Sequence, residues 1–263
     1  MIDLLRLGPA WTFLTCSEER LAGVDAARFD RAWLGLLAIS LAWGAASVGL
    51  WHLSYHVCRE PAGFYVAPAI VLGAAWLLGF YGRAAGALAS FLGAGGESRR
   101  SLASSVLVVT FMLVLLVLGP DWHRQEPALP GWLPGWLRPA SKIDRLLLLL
   151  PMWGAWTCMI LPQFSRPDPA REPQLAAMAC SGGPLTAAIV MGALLAISIG
   201  ALAFLPWAQL AIPGVGIATA LLGGLAMARA AGGMNRSVLL AANLLTQLAM
   251  LLTYLAVRDP RFW

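Results

Sequence analysis

The chain has 263 residues, of which 59% are hydrophobic and 12% charged, and its mean hydropathy is +0.73. A soluble domain carries roughly 25% charged residues, so this composition excludes an ordinary water-exposed surface and sets most side chains against lipid or one another. The formal charge of +5 does not mark a nucleic-acid binder, because the arginines stand scattered at loop ends and form no basic stripe.

Residues 1–31 are apolar in part, but Arg6, Gly8 and Pro9 interrupt the first stretch, which suits an interfacial N-terminal segment better than a span. The segment lacks a basic start followed by an unbroken apolar core, so a cleaved signal peptide is not expected. A spanning helix needs about 20 mostly apolar residues. Runs of that kind predict a transmembrane helical bundle over 32–257, with spans near 33–56, 61–82, 101–119, 146–164, 184–205, 208–228 and 237–257. Leu205-Pro206-Trp207 is the expected turn between the fifth and sixth spans, and 258–263 form a short tail. In lipid each backbone polar group must be satisfied within its own segment, and runs this long without period-2 alternation are helices rather than barrel strands. The expected fold is all-α: a polytopic integral membrane protein with about seven transmembrane helices, six being the alternative count.

Lys and Arg at the helix ends set the orientation. One face collects eleven of them, including Arg6, Arg83, Arg166 and Arg236, and the other seven, including Lys142 and Arg145. An N-terminus on the cytoplasmic side of a bacterial cytoplasmic (inner) membrane is therefore expected. Trp51, Trp122, Trp132, Trp136, Trp207 and Trp263 all fall on the second face, where an aromatic belt would lie. The repeat Leu129-Pro-Gly-Trp132, Leu133-Pro-Gly-Trp136 in the third loop on from the N-terminus suggests a stiff lid or docking surface.

All thirteen acidic residues fall outside these spans, with Asp144 assigned to the charged stretch before the fourth. Ion-coupled transporters place ionisable groups within the membrane, so proton coupling is not expected. The polar residues inside the spans are few. Asn243, Thr246 and Gln247 share one face of the last helix at i, i+3 and i+4, a candidate polar face for interhelical hydrogen bonds or a polar ligand. His52 and His56, at i and i+4 near the end of the first span, and His123 in a loop on the same face are weak candidates for metal or haem. Cys16, Cys58, Cys158 and Cys180 show no metal-ligand spacing and read as small buried residues.

The stretch Gly232-Gly-Met-Asn-Arg-Ser-Val-Leu-Leu-Ala-Ala-Asn243-Leu-Leu-Thr246 resembles a GG-x-T-G-D motif and its following helix in the adenosylcobinamide-GDP ribazoletransferase (cobalamin-5′-phosphate synthase) family. In the same order, Leu5 to Thr15 is similar to that family's "LQFLT" opening, and Leu150-Pro-Met-Trp-Gly-Ala-Trp156 leading to Ser165-Arg166-Pro167 to its "GRW…RP" stretch. Gly86-Ala-Leu-Ala-Ser90, with Arg99-Arg100 beyond, stands where the family carries "HLDGLADT". The resemblance implies a membrane transferase for phosphate-linked substrates, whose carboxylates hold Mg²⁺ against phosphate. It also implies Arg83, Arg166 and Arg236 as candidate phosphate or anion contacts, with Asp168 the only nearby acid.

The departures define the expectation. No Asp or Glu occurs from Pro61 to Gly96, Ala85 and Ala89 replace the motif's aspartates, and Ser237 replaces the later one. The resemblance therefore implies a degenerate member without the metal-binding carboxylates, a pseudoenzyme with no catalytic residue and no cofactor, Mg²⁺ belonging only to the transferase alternative. The expected function is a non-catalytic scaffold or complex subunit, in contact with membrane lipid and with a protein partner or further copies of itself. A permease or cofactor-binding subunit is the second alternative.

Overall fold

The structure, a computed structural model, describes residues 6–17, 20–21, 23–58, 62–78, 80–92, part of 103–114, 142–202 and 208–257. In chain order the helices are α1 (Leu7–Thr15), α2 (Ala32–Cys58), α3 (Ala62–Leu77), α4 (Phe80–Phe91), α5 (Lys142–Phe164), α6 (Pro173–Gly182), α7 (Pro184–Ala201), α8 (Ala208–Ala218), α9 (Gly224–Ala230) and α10 (Arg236–Val257). A 3₁₀ turn, Ala26–Phe29, precedes α2, and a π-helical turn, Thr219–Gly223, joins α8 to α9. Helical residues also occur at 103–104, 106–107, 110–111 and 114.

Among the described residues five segments are long and apolar enough to cross a membrane: Ala32–Cys58, Ile143–Phe164, Pro184–Ala201, Leu210–Ala230 and Arg236–Val257. The chain is an all-α polytopic membrane protein. These five lie on the first, fourth, fifth, sixth and seventh expected spans. The second expected span, 61–82, is divided: α3 ends at Leu77 and α4 begins at Phe80. Most of the third lies outside the described residues, as do the Leu205-Pro206-Trp207 turn, the Leu-Pro-Gly-Trp repeat and the tail.

The bundle is organised around α5 and α10. In its most apolar stretch α5 is 83% buried and α10 67%, against 17% for α7, so α5 is sheathed by protein and α7 faces mainly outward. Association between helices in lipid gains little from apolar transfer and depends on close packing and interhelical hydrogen bonds. Both are present along α5. A Cβ at Gly44 of α2 would lie 2.9 Å from the Leu148 carbonyl oxygen, so the two backbones touch where only hydrogen fits. On the side facing α7, the buried indoles of Trp153 and Trp156 donate to Ser198 Oγ and to the Ala187 carbonyl, each at 3.0 Å. These rings meet edge to face, 5.4 Å between centroids.

The π turn has a packing role as well. Gly216 lies against Met250 of α10, while Gly224 lies against Leu161 of α5. A wider turn between them changes the phase of the helix, which allows one chain segment to present a glycine to each of the two central helices.

α1 is packed into the bundle. Ala10 and Phe13 are fully buried, and the helix packs on α2 and α4. Trp51 differs from the belt expectation, being fully buried in the bundle rather than turned to lipid; the other expected belt tryptophans lie outside the described residues.

Candidate functional site

Among the described residues, side-chain hydrogen bonds and ion pairs gather at two ends of the bundle and at one intermediate level. The end that carries α1, α6 and the α9–α10 turn is joined by long-range contacts. Pro167 in the α5–α6 loop pairs with Met234 in the α9–α10 turn, Gln174 Nε2 donates to the Leu21 and Val24 carbonyls, and the Arg31 amide donates to Ser181 Oγ. Two of the three expected anion contacts are found here in a different role. Arg83 Nε donates to the Thr15 carbonyl at 2.8 Å, and Arg236 Nε donates to the Phe13 carbonyl at 2.7 Å. Arg236 Nη2 also donates to the Thr12 and Phe13 carbonyls, and the guanidinium lies over the Phe13 ring, 5.6 Å from its centroid. The last carbonyls of a helix lack intrahelical partners and carry its negative end, which two guanidinium groups satisfy.

Arg166 is separate from that pair. It is exposed at the mouth of a cavity of about 400 Å³ between the end of α5 and the α6–α7 corner. Asp168, two residues on, caps its own turn by accepting from the Ala170 amide and lies 3.8 Å from Arg171.

Within the bundle, Asn243, Thr246 and Gln247 face α5. Gln247 Nε2 donates to Asn243 Oδ1 at 2.5 Å, Asn243 Nδ2 lies 3.8 Å from Cys158 Sγ, and Thr157 Oγ1 donates to Thr246 Oγ1 at 3.3 Å. Gly154 makes room for the amides: a Cβ there would sit 2.2 Å from Asn243 Oδ1. The two amides also line a cleft of about 30 Å³ together with Leu14, Ser40 and Trp43. That is space for water rather than for a substrate.

The opposite end holds a cluster that sequence reading missed. Asp144, in the first turn of α5, is fully buried, and its Oδ2 lies 3.2 Å from His52 Nε2 on α2, which is half-exposed. The adjacent Arg145 donates through Nη1 to the Ala201 carbonyl, at the last residue of α7, and Tyr254 of α10 lies buried within electrostatic range of Arg145. Three helices, α2, α5 and α10, thus bring one carboxylate, one guanidinium, one imidazole and one phenol near one another, and α7 adds its last carbonyl.

The expectation that every acid lies outside the spans is corrected by Asp144, which belongs to the apolar segment Ile143–Phe164. Contacts from neighbouring helices reach both charges at the start of this segment: His52 of α2 lies against Asp144 Oδ2, and Arg145 donates to the last carbonyl of α7. The available signal was that His52 and Asp144 fall on the same predicted face, at the end of one span and the start of another. His56 is exposed on α2, and His123 lies outside the described residues. Among the described residues no three His, Cys, Asp or Glu side chains converge as a metal site.

Fold and side-chain clusters together define a class, a polytopic helical membrane protein with polar residues gathered at both ends of the bundle. No family model, curated protein or solved structure matches the chain.

Proposed function

We propose that the chain is a non-catalytic framework, the membrane-embedded subunit of a larger complex, in the cytoplasmic membrane of a bacterium with its N-terminus on the cytoplasmic side. The observation that carries this reading is the use of Arg83 and Arg236. The guanidinium groups that a phosphate-handling site would need hold the C-terminus of α1 instead. Together with alanines at 85 and 89 and Ser237, this supports a degenerate relative of the ribazoletransferases rather than a working one. The transferase alternative would require α1 to leave before either arginine met a substrate.

Extraction in mild detergent, followed by size-exclusion chromatography with light scattering, tests the proposal. A complex of this chain with a stoichiometric partner is expected. A purified lone chain that turns over a nucleotide-linked substrate with Mg²⁺ would overturn it.

The permease reading gains one observation, the fully buried Asp144 against half-exposed His52 inside a span. An ionisable pair in that position is a candidate proton-binding element. Proteoliposomes carrying an internal pH dye would show a proton flux that Asp144→Asn abolishes; equal acidification with wild type and variant rejects this reading.

A further inference from the structure

The cavity beside Arg166 has features that the framework reading does not use. It opens where α5 ends at Phe164 and α7 begins at Pro184, at one end of two segments that are long and apolar enough to cross a membrane. Its wall is mostly apolar, with Pro162, Pro167, Pro169 and Pro184 contributing rigid surfaces that offer no backbone N–H. The loop that carries Arg166 is held in place by the Pro167–Met234 pairing and by the turn that Asp168 caps. Among the described residues Arg166 has no hydrogen-bond or ion-pair partner, whereas nearby Arg171 is beside Asp168. Gln163, also on the wall, is committed through Nε2 to the Ala179 carbonyl.

We infer that this cavity is a site for an anionic bilayer phospholipid, with the Arg166 guanidinium meeting the lipid phosphate and the proline-lined wall receiving the glycerol end and upper acyl chain. The combination of one unopposed cation with an apolar recess at the bilayer boundary fits an amphiphile with a phosphate at the same level. A free phosphate ion would leave the apolar wall unused, and a neutral lipid would leave the guanidinium without its anion. Arg also suits phosphate geometrically, because its planar fork can present two N–H groups to two oxygens.

Cys180 lines the same cavity and is exposed, so it reports occupancy directly. The full chain is placed in nanodiscs of phosphatidylcholine, with or without phosphatidylglycerol, and treated with N-ethylmaleimide. Labelling of Cys180 is read by peptide mass spectrometry relative to Cys16 in the same sample. Phosphatidylglycerol is expected to slow labelling about fivefold, equivalent to the ~1 kcal/mol that one arginine contributes to anionic-lipid attraction. Arg166→Gln, which removes the charge, and Ala176→Trp, which fills the recess, should each abolish that lipid dependence; neither alters the α5–α10 core. Equal rates in the two lipids, or a lipid dependence that persists in Arg166→Gln, overturn the proposal. Equal protection by inorganic phosphate in lipid-free detergent also overturns it, assigning the cavity to a free ion.

Discussion

Gly154 shows how a single missing side chain controls the centre of this bundle. With hydrogen at that position, α10 can bring Asn243 and Gln247 against α5, and an added methyl would overlap Asn243 Oδ1. Gly154→Ala is therefore expected to lower stability in detergent by about 1–3 kcal/mol, the usual cost of overpacking. Asn243→Ala in the same chain should recover part of that loss, and a double-mutant cycle of thermal midpoints measures the coupling. The cluster at the other end predicts an ordering. Asp144→Ala leaves Arg145 in a buried place without its adjacent carboxylate, while His52→Ala removes a ring that water already reaches in part. Breaking a buried charge pair costs roughly 3–5 kcal/mol, so Asp144→Ala should unfold at a distinctly lower temperature than His52→Ala. The reverse order would show that Asp144 is not the centre of the cluster.

Among the elements, α1 depends most on its surroundings. Nine residues are too few for a stable isolated helix, since helices shorter than about 12–15 residues are marginal in water. Burial of Phe13 and the guanidinium groups of Arg83 and Arg236 on its final carbonyls hold it in place. Hydrogen bonds to charged groups contribute about 1.5–3 kcal/mol each. Arg236→Ala should thus reduce hydrogen-exchange protection of residues 10–15 by roughly tenfold or more. Arg83→Ala, at an exposed site, should have the smaller effect. Unchanged protection in Arg236→Ala would mean that Phe13 alone anchors the helix. The division of the second expected span into α3 and α4 belongs to this scale too. The charge-free run from Pro61 to Gly82 reads as one span; Gly79 falls between the end of α3 and the start of α4, but Gly73 stands within α3, so a glycine by itself does not mark the break. α4 nevertheless packs along α10 and α1 as a separate short helix.

For the whole molecule, the two polar ends make a topological prediction. The α5–α6 loop and the α9–α10 turn meet at the Pro167–Met234 pairing, while His52 and Asp144 mark the other end. In a background without the native cysteines, Pro169→Cys and Gly232→Cys should react with a membrane-impermeant maleimide from one side of sealed vesicles and Val57→Cys from the other. Labelling of all three from the same side would contradict the bundle.

Membrane residence, helical class and the approximate positions of five spans were legible in the sequence, because the bilayer imposes a length and an apolar composition on every crossing segment. The shared face of Asn243, Thr246 and Gln247 was legible for a related reason, since helical periodicity alone puts i, i+3 and i+4 together. What those residues meet was decided by tertiary structure. The spacing of Arg83 and Arg236 is compatible with an anion, but the nearest acceptors in space are the carbonyls of α1. Asp144 reads as a loop charge until α2 brings His52 to it and α7 ends on Arg145. Local sequence reports what a segment can bury, whereas the partner of each charge depends on contacts between residues that lie far apart in the chain.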